Sequence, residues 1–170
     1  RGDQPEKLGL DYASLGPVNP RVLCAHLSAY GRDNERKGWP GYDYLMQAEA
    51  GYLHLSGEPG SPPARMGLSI VDYMTGMNSS IGILAALYHR KANGGAGQQV
   101  DVCLFDTVIA SLSHYAQIYL VNGQTPPRRG TWGNGGMPAG VFRCTDGELM
   151  LVVGNDGQFK RFCEAAGIAA

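Results

Sequence analysis

A chain of 170 residues with 14 basic and 15 acidic side chains can bury about 70% of the surface its unfolded form exposes, yet has no net field to draw nucleic acid or an anionic membrane. Its apolar runs fall short of the ~20 residues a membrane span needs. Composition therefore excludes both partners and describes a soluble domain.

Cys24, Cys103, Cys144 and Cys163 form no CxxC pair and have no histidine at metal-ligand spacing. They read as reduced core thiols of a cytoplasmic protein, with no metal site. The 25 glycines and 10 prolines cluster between periodic segments, which implies many tight loops. The chain starts at Arg1 and stops at Ala170 after a helix-like stretch, and so reads as a piece of a longer polypeptide.

After a polar start, Asn19-Pro20 opens an almost continuous apolar run from Arg21 to Ser28 that ends at Tyr30-Gly31. Such a run suits a strand covered on both faces, as in a parallel sheet. Residues 32–40 are a charged loop. Leu45, Met46, Ala48, Ala50 and Leu53 then recur at mixed helical spacing, predicting a short helix over 42–52. Residues 57–63, GEPGSPP, must be irregular.

A helix rich in small residues follows in GLSIVDYMTGMNSSIGILAALYHRK. Met74, Met77, Ile81, Leu84 and Tyr88 mark one helical face, with the start at or just after Asp72. His89, Arg90 and Lys91 suit the negative end of the dipole, and Asn93-Gly94-Gly95 supplies a stop. A carboxylate placed like Asp72 meets unpaired N–H groups and the positive end of the dipole, so it should stay ionised. That makes it either an ordinary N-cap, worth about 1 kcal/mol, or a nucleophile.

Residues 99–103 alternate and predict a strand. Leu104 to Leu120 is apolar on nearly every side, as in a single helix buried in a larger body or against a second subunit. A long loop spans 122–134. Val141 to Cys144 and Leu149 to Val153 flank Thr145-Asp146-Gly147-Glu148, a hairpin signal, and a last helix is expected over 158–166. The hairpin after a long linker suggests a second, smaller domain.

In order and spacing, EKLGLDY, NPRVLCAHLSAYG, GYDYLMQAEAGYLHLSGEPGSPP, the Asp72 segment, GQQVDVCLFD and the stretch from Gly133 to GNDGQFKRFCEAAG resemble the family III CoA-transferases (CaiB/BaiF type). That group includes formyl-CoA and carnitine CoA-transferases and is related to α-methylacyl-CoA racemase. The resemblance implies an α/β fold: residues 1–132 as part of a Rossmann-like, CoA-binding large domain carrying the nucleophile, and 133–170 as the glycine loop and start of a small α+β domain. It implies an acyl-CoA:carboxylate CoA-transferase of the EC 2.8.3 type, with coenzyme A entering as acyl-CoA substrate, no tightly bound cofactor, and an interlocked homodimer. The isolated chain is expected to bind CoA poorly.

By that resemblance Asp72 is the covalent nucleophile, and backbone N–H groups at its helix start supply oxyanion donors. Gly135 and Gly136 belong to a lid, within GNGGMP, whose glycines permit close approach and unusual backbone angles. Asn134 interrupts an otherwise all-glycine pattern. Tyr42 lines the acyl-CoA site, where the racemase branch carries a histidine; a tyrosine of pKa ~10 is a poor base at neutral pH, which favours transferase over racemase. Lys7 and Leu8 align with a CoA-binding segment, Lys7 facing nucleotide phosphates. The NFRPG-like loop before it is represented only by Arg1-Gly2, and Asn93 to Gly97 is one small residue longer than the family's turn. His26, His54, His89 and His114 read as satisfied structural residues. Gln47 and Glu49 receive no role.

Overall fold

In the computed structural model, residues 1–168 are described. They divide into two compact units: residues 1–53 with 65–126, and residues 54–64 with 127–168.

The larger unit opens with two single-turn helices, α1 (Gln4–Lys7) and α2 (Tyr12–Leu15), inside the stretch that its polar composition marks only as a start. Strand β1 (Leu23–Ser28) follows. Gly41 lies where an added Cβ would fall 2.3 Å from the Ala29 Cβ, so only glycine lets the chain turn so closely past the end of β1 into α3 (Asp43–Glu49). After α4 (Tyr52–Leu55) and an irregular segment comes the 23-residue α5 (Ile70–Ala92). It leads to β2 (Gln98–Cys103), which pairs in parallel with β1, Leu23 opposite Gln98 through Ser28 opposite Cys103. A parallel pair needs a crossover of this kind. Ala29, Tyr30, Met46, Ala50, Val71 and Val108 form the buried core beside it.

Helix α5 turns its apolar stripe away from the sheet. Its buried residues are Val71, Thr75, Ser79 and Ala86, spaced by four, four and seven, whereas Met77, Ile81, Leu84 and Tyr88 are exposed. The reason is distance. The helix packs on β1 and β2 so closely that a Cβ on Gly82 would stand 2.8 Å from Val100 Cγ1. Small side chains fill that interface, and the large ones point away.

The single helix expected over 104–120 is two, α6 (Leu104–Ser111) and α7 (His114–Asn122). They are separated at Ser113, whose φ of 51° takes the chain out of the helical region. The segment is also less covered than its composition suggests. Only Thr107 and Val108 are buried in α6, and no residue is in α7.

In the smaller unit, β3 (Ala139–Arg143) and β4 (Glu148–Val152) form the expected antiparallel hairpin. Helix α8 (Asp156–Ala166) is capped by the Asn155 side chain accepting from the Gln158 N–H. Trp132 packs edge-on against Phe142, with 5.5 Å between centroids. The Arg128 guanidinium donates to the carbonyls of His54, Ser61 and Pro62, tying residues 54–64 into this unit.

Cys24, Cys103 and Cys163 are buried free thiols; Cys144 is exposed, contrary to the core placement expected of all four. Burial pushes the Cys103 thiol up to about 11, which keeps it protonated and unreactive. His26 is not satisfied: its Nε2 is buried with no hydrogen-bond partner among the described residues. Dehydration, followed by the Arg32 charge, lowers its pKa.

Candidate active site at the start of α5

Helix α5 begins at Ile70, so Asp72 sits within the first turn rather than ahead of it. The residue is exposed and its carboxylate makes no hydrogen bond or ion pair among the described residues. It does not cap its own helix. Ser69, at the N-cap position, offers no side-chain cap either.

That role falls to Asp43, from the first turn of α3. Its Oδ2 accepts the Val71 N–H at 2.7 Å and the Asp72 N–H at 3.3 Å, so a carboxylate borrowed from another helix satisfies donors that α5 leaves open. Its Oδ1 accepts from Gln47 Nε2 at 2.5 Å. Gln47, one turn further along α3, accepts the Met66 N–H through Oε1 at 2.9 Å and donates through Nε2 to the Leu68 carbonyl at 3.3 Å. Both residues are deeply buried, Asp43 at 3% exposure and Gln47 at 0%. Buried polar groups persist when fully bonded, and these are.

Two expectations change as a result. The Val71 and Asp72 N–H groups already donate to Asp43, so they are not open oxyanion donors. And although the helix terminus alone favours ionised Asp72, partial dehydration of its carboxyl, then the neighbouring charge of Asp43, raise its pKa above the ordinary carboxylate value. A more basic carboxylate is a stronger nucleophile.

Tyr42 immediately precedes Asp43 and is the N-cap residue of α3, its carbonyl accepting the N–H groups of Leu45 and Met46. Its ring is exposed and stacks on Tyr44, with centroids 5.9 Å apart and planes 6° off parallel. The hydroxyl has no partner among the described residues. Tyr42 thus directly precedes the residue whose carboxylate accepts the Asp72 N–H.

Lys7 closes α1 and its Nζ lies 2.6 Å from Asp3 Oδ2, so its charge is paired. Hydrogen bonds from Lys7 and Arg1 hold the Asp3 carboxyl well below the usual range. Leu8 is the exposed C-cap of the same helix. Gly135 and Gly136 lie in the smaller unit, in the loop that ends at the cis Met137-Pro138 bond. Gly133 at its start donates to the Ala139 carbonyl at 3.1 Å. An added Cβ on Gly135 would meet nothing within 4 Å. The positive-φ glycines lie elsewhere in the chain, so this loop does not use the unusual backbone angles expected of it.

Asp43 and Gln47 are the residues that motif reading passed over. Their signal is a pair of polar side chains four apart, flanking the buried Met46 on a short helix. What the pattern withholds is the partner, 28 residues away.

A sequence profile described as CoA-transferase family III matches residues 1–170. The chain belongs to this family. It is 38% identical over 164 residues to a succinate–glutarate CoA-transferase of Agrobacterium fabrum, covering 96% of this chain and 41% of that protein. It is 34% identical to an acetyl-CoA:oxalate CoA-transferase of Acetobacter aceti, covering 95% and 42%. A crystal structure of a CaiB/BaiF family protein from Brucella suis superposes with a TM-score of 0.83 at 35% identity, over 96% of this chain and 43% of that one. The α/β architecture is therefore the family III fold. The chain spans about two fifths of the length of these relatives.

Proposed function

We propose that this chain carries the nucleophile of an acyl-CoA:carboxylate CoA-transferase, and that Asp72 is that nucleophile. The observation that carries the reading is an accessible, unpartnered carboxylate in the first turn of α5, made more basic by its surroundings, in a chain of this family.

The chemistry runs in four acyl transfers. The Asp72 carboxylate attacks the thioester carbonyl of the donor acyl-CoA, giving a mixed anhydride and expelling CoA thiolate. The thiolate attacks the Asp72 carbonyl of the anhydride, releasing the first acid as its carboxylate and leaving an aspartyl-CoA thioester. The incoming carboxylate displaces the thiolate to form a second anhydride. The thiolate then attacks the acyl carbonyl, releasing the new acyl-CoA and regenerating Asp72. Each step exchanges groups of comparable activation. No further cofactor enters.

Tyr42, the residue before Asp43, offers an exposed ring and a free hydroxyl for the acyl-CoA site, and a phenol in place of an imidazole favours transfer over racemisation. The Gly135 and Gly136 loop is the lid, with residues 133–170 opening a small domain after a CoA-binding large domain over 1–132. Lys7 and Leu8 take the CoA side, which requires Lys7 to exchange Asp3 for a phosphate. Short dicarboxylates are the acid class, in keeping with relatives named for succinate, glutarate and oxalate. The large exposed side chains of α5, led by Ile81, Leu84 and Tyr88, support an interlocked homodimer. The protein is assigned to the cytoplasm; no helix among the described residues is long and apolar enough to cross a membrane.

The test is transfer of CoA between short dicarboxylic acids by the full-length protein and by Asp72→Ala. Abolished transfer in the variant is expected, and retained transfer would overturn the assignment. Solvent deuterium uptake at the α-carbon without an acceptor acid would favour a racemase instead.

A further inference from the structure

Every polar contact of the buried Asp43 and Gln47 side chains points to one place. Asp43 takes the two N–H groups of Val71 and Asp72, and Gln47 holds Asp43 and grips the chain at Met66 and Leu68, just before α5 starts. A cap supplied by Ser69 would fix the helix terminus against itself alone. The observed cap fixes it to α3, the helix whose N-cap residue is Tyr42.

We propose that Asp43 and Gln47 are positioning residues for the acyl-transfer reaction, locking the first turn of α5 against α3 so that the Asp72 carboxylate and the Tyr42 ring are held in fixed register. This inference rests on the reading of Asp72 as nucleophile. The lock has a mechanical and an electrostatic part. Mechanically, Asp72 must meet thioester, anhydride and thiolate in turn, and displacement of a nucleophile by about 1 Å can cost on the order of 100-fold in rate. A terminus held only by its own backbone frays; one pinned at Val71 and Asp72 does not. Electrostatically, the Asp43 oxygens answer the positive end of the helix, which would otherwise stabilise the Asp72 anion and blunt its nucleophilicity. Titratable groups on the elements packed against α5 include His26, Asp101, Asp106 and Glu49, yet Asp43 is the one whose field acts on Asp72.

Kinetics of the full-length enzyme separate this role from a merely structural one. Asn in place of Asp43 keeps a carbonyl oxygen for the Val71 N–H but no charge. Asp43→Asn is therefore expected to fold, to lower kcat by about 10- to 100-fold with KM for acyl-CoA within about twofold, and to move the acid limb of the kcat/KM profile to lower pH. Gln47→Met keeps the volume and removes the grip; it is expected to lower kcat less, with the acid limb unmoved. A folded Asp43→Asn with wild-type kcat and an unmoved acid limb would overturn the proposal, as would losses of kcat that follow thermal stability alone in both variants. If neither variant folds, amide exchange in the wild-type enzyme decides: protection of Val71 and Asp72 equal to that of the α5 interior supports the lock, and exchange at the rate of a free helix end refutes it. Should Asp72→Ala itself retain transfer, the nucleophile assignment fails; inactive Asp72→Ala beside a fully active Asp43→Asn removes only the positioning role.

Discussion

The two faces of α5 reverse the usual relation between side-chain size and burial. Its inner face is built from Val71, Thr75, Ser79, Gly82 and Ala86, and its outer face carries Met77, Ile81, Leu84 and Tyr88. Close approach explains the first: a helix lying tightly on a parallel pair has room for little beyond a methyl or hydroxyl, and Thr75 spends its hydroxyl on the Val71 carbonyl at 2.7 Å. The outer face is the surface that the proposed homodimer would cover. The lesson is that a periodic apolar stripe need not be the face that meets the protein's own sheet.

Substitutions on the two faces should therefore fail in different assays. The largest effect on folding is expected at the shared core: Met46→Ala, at a fully buried position, should cost about 2–5 kcal/mol in chemical denaturation. Gly82→Leu, forcing a side chain against Val100, should cost about 1–3 kcal/mol; an unchanged midpoint would mean that the helix stands off the sheet. Ile81→Ser with Leu84→Ser should change the stability of the isolated chain by about 0.5 kcal/mol at most per site, while sedimentation of the full-length protein shows loss of the dimer. Retained dimer would place the subunit interface elsewhere.

The smallest effect is at Asp72, the proposed nucleophile. A carboxyl whose folded pKa is raised disfavours folding once it ionises, so its penalty is absent below the ordinary carboxylate range and fully present above the raised value. Asp72→Asn should accordingly stabilise the fold at neutral pH by well under about 1 kcal/mol, with the gain vanishing in acid, while transfer is lost. A variant less stable than the wild type at neutral pH would contradict the electrostatic reading of this site.

Much of this was legible in the residues. The cations and glycines at the end of α5, the apolar run of β1 and the turn between β3 and β4 each declare their structure by local chemistry. Asp72 stands out in the sequence through its place in a motif. The break at Ser113 was not legible, because neither Gly nor Pro marks it. Nor was the Asp43 cap, because a hydrogen bond across 28 residues leaves no local pattern. Nor was the orientation of α5, for a related reason: periodicity reports that a face is apolar, and only the distance to the neighbouring sheet decides which side chains fit there.

The central claim is that Asp72 forms a covalent bond to the carried group. Full-length protein incubated with acyl-CoA, quenched in acid and digested, should yield the peptide containing Asp72 with the added mass of a CoA thioester, reversed by hydroxylamine and absent from Asp72→Asn. An adduct on another residue, or transfer at full rate with Asp72 unmodified throughout turnover, would contradict the account.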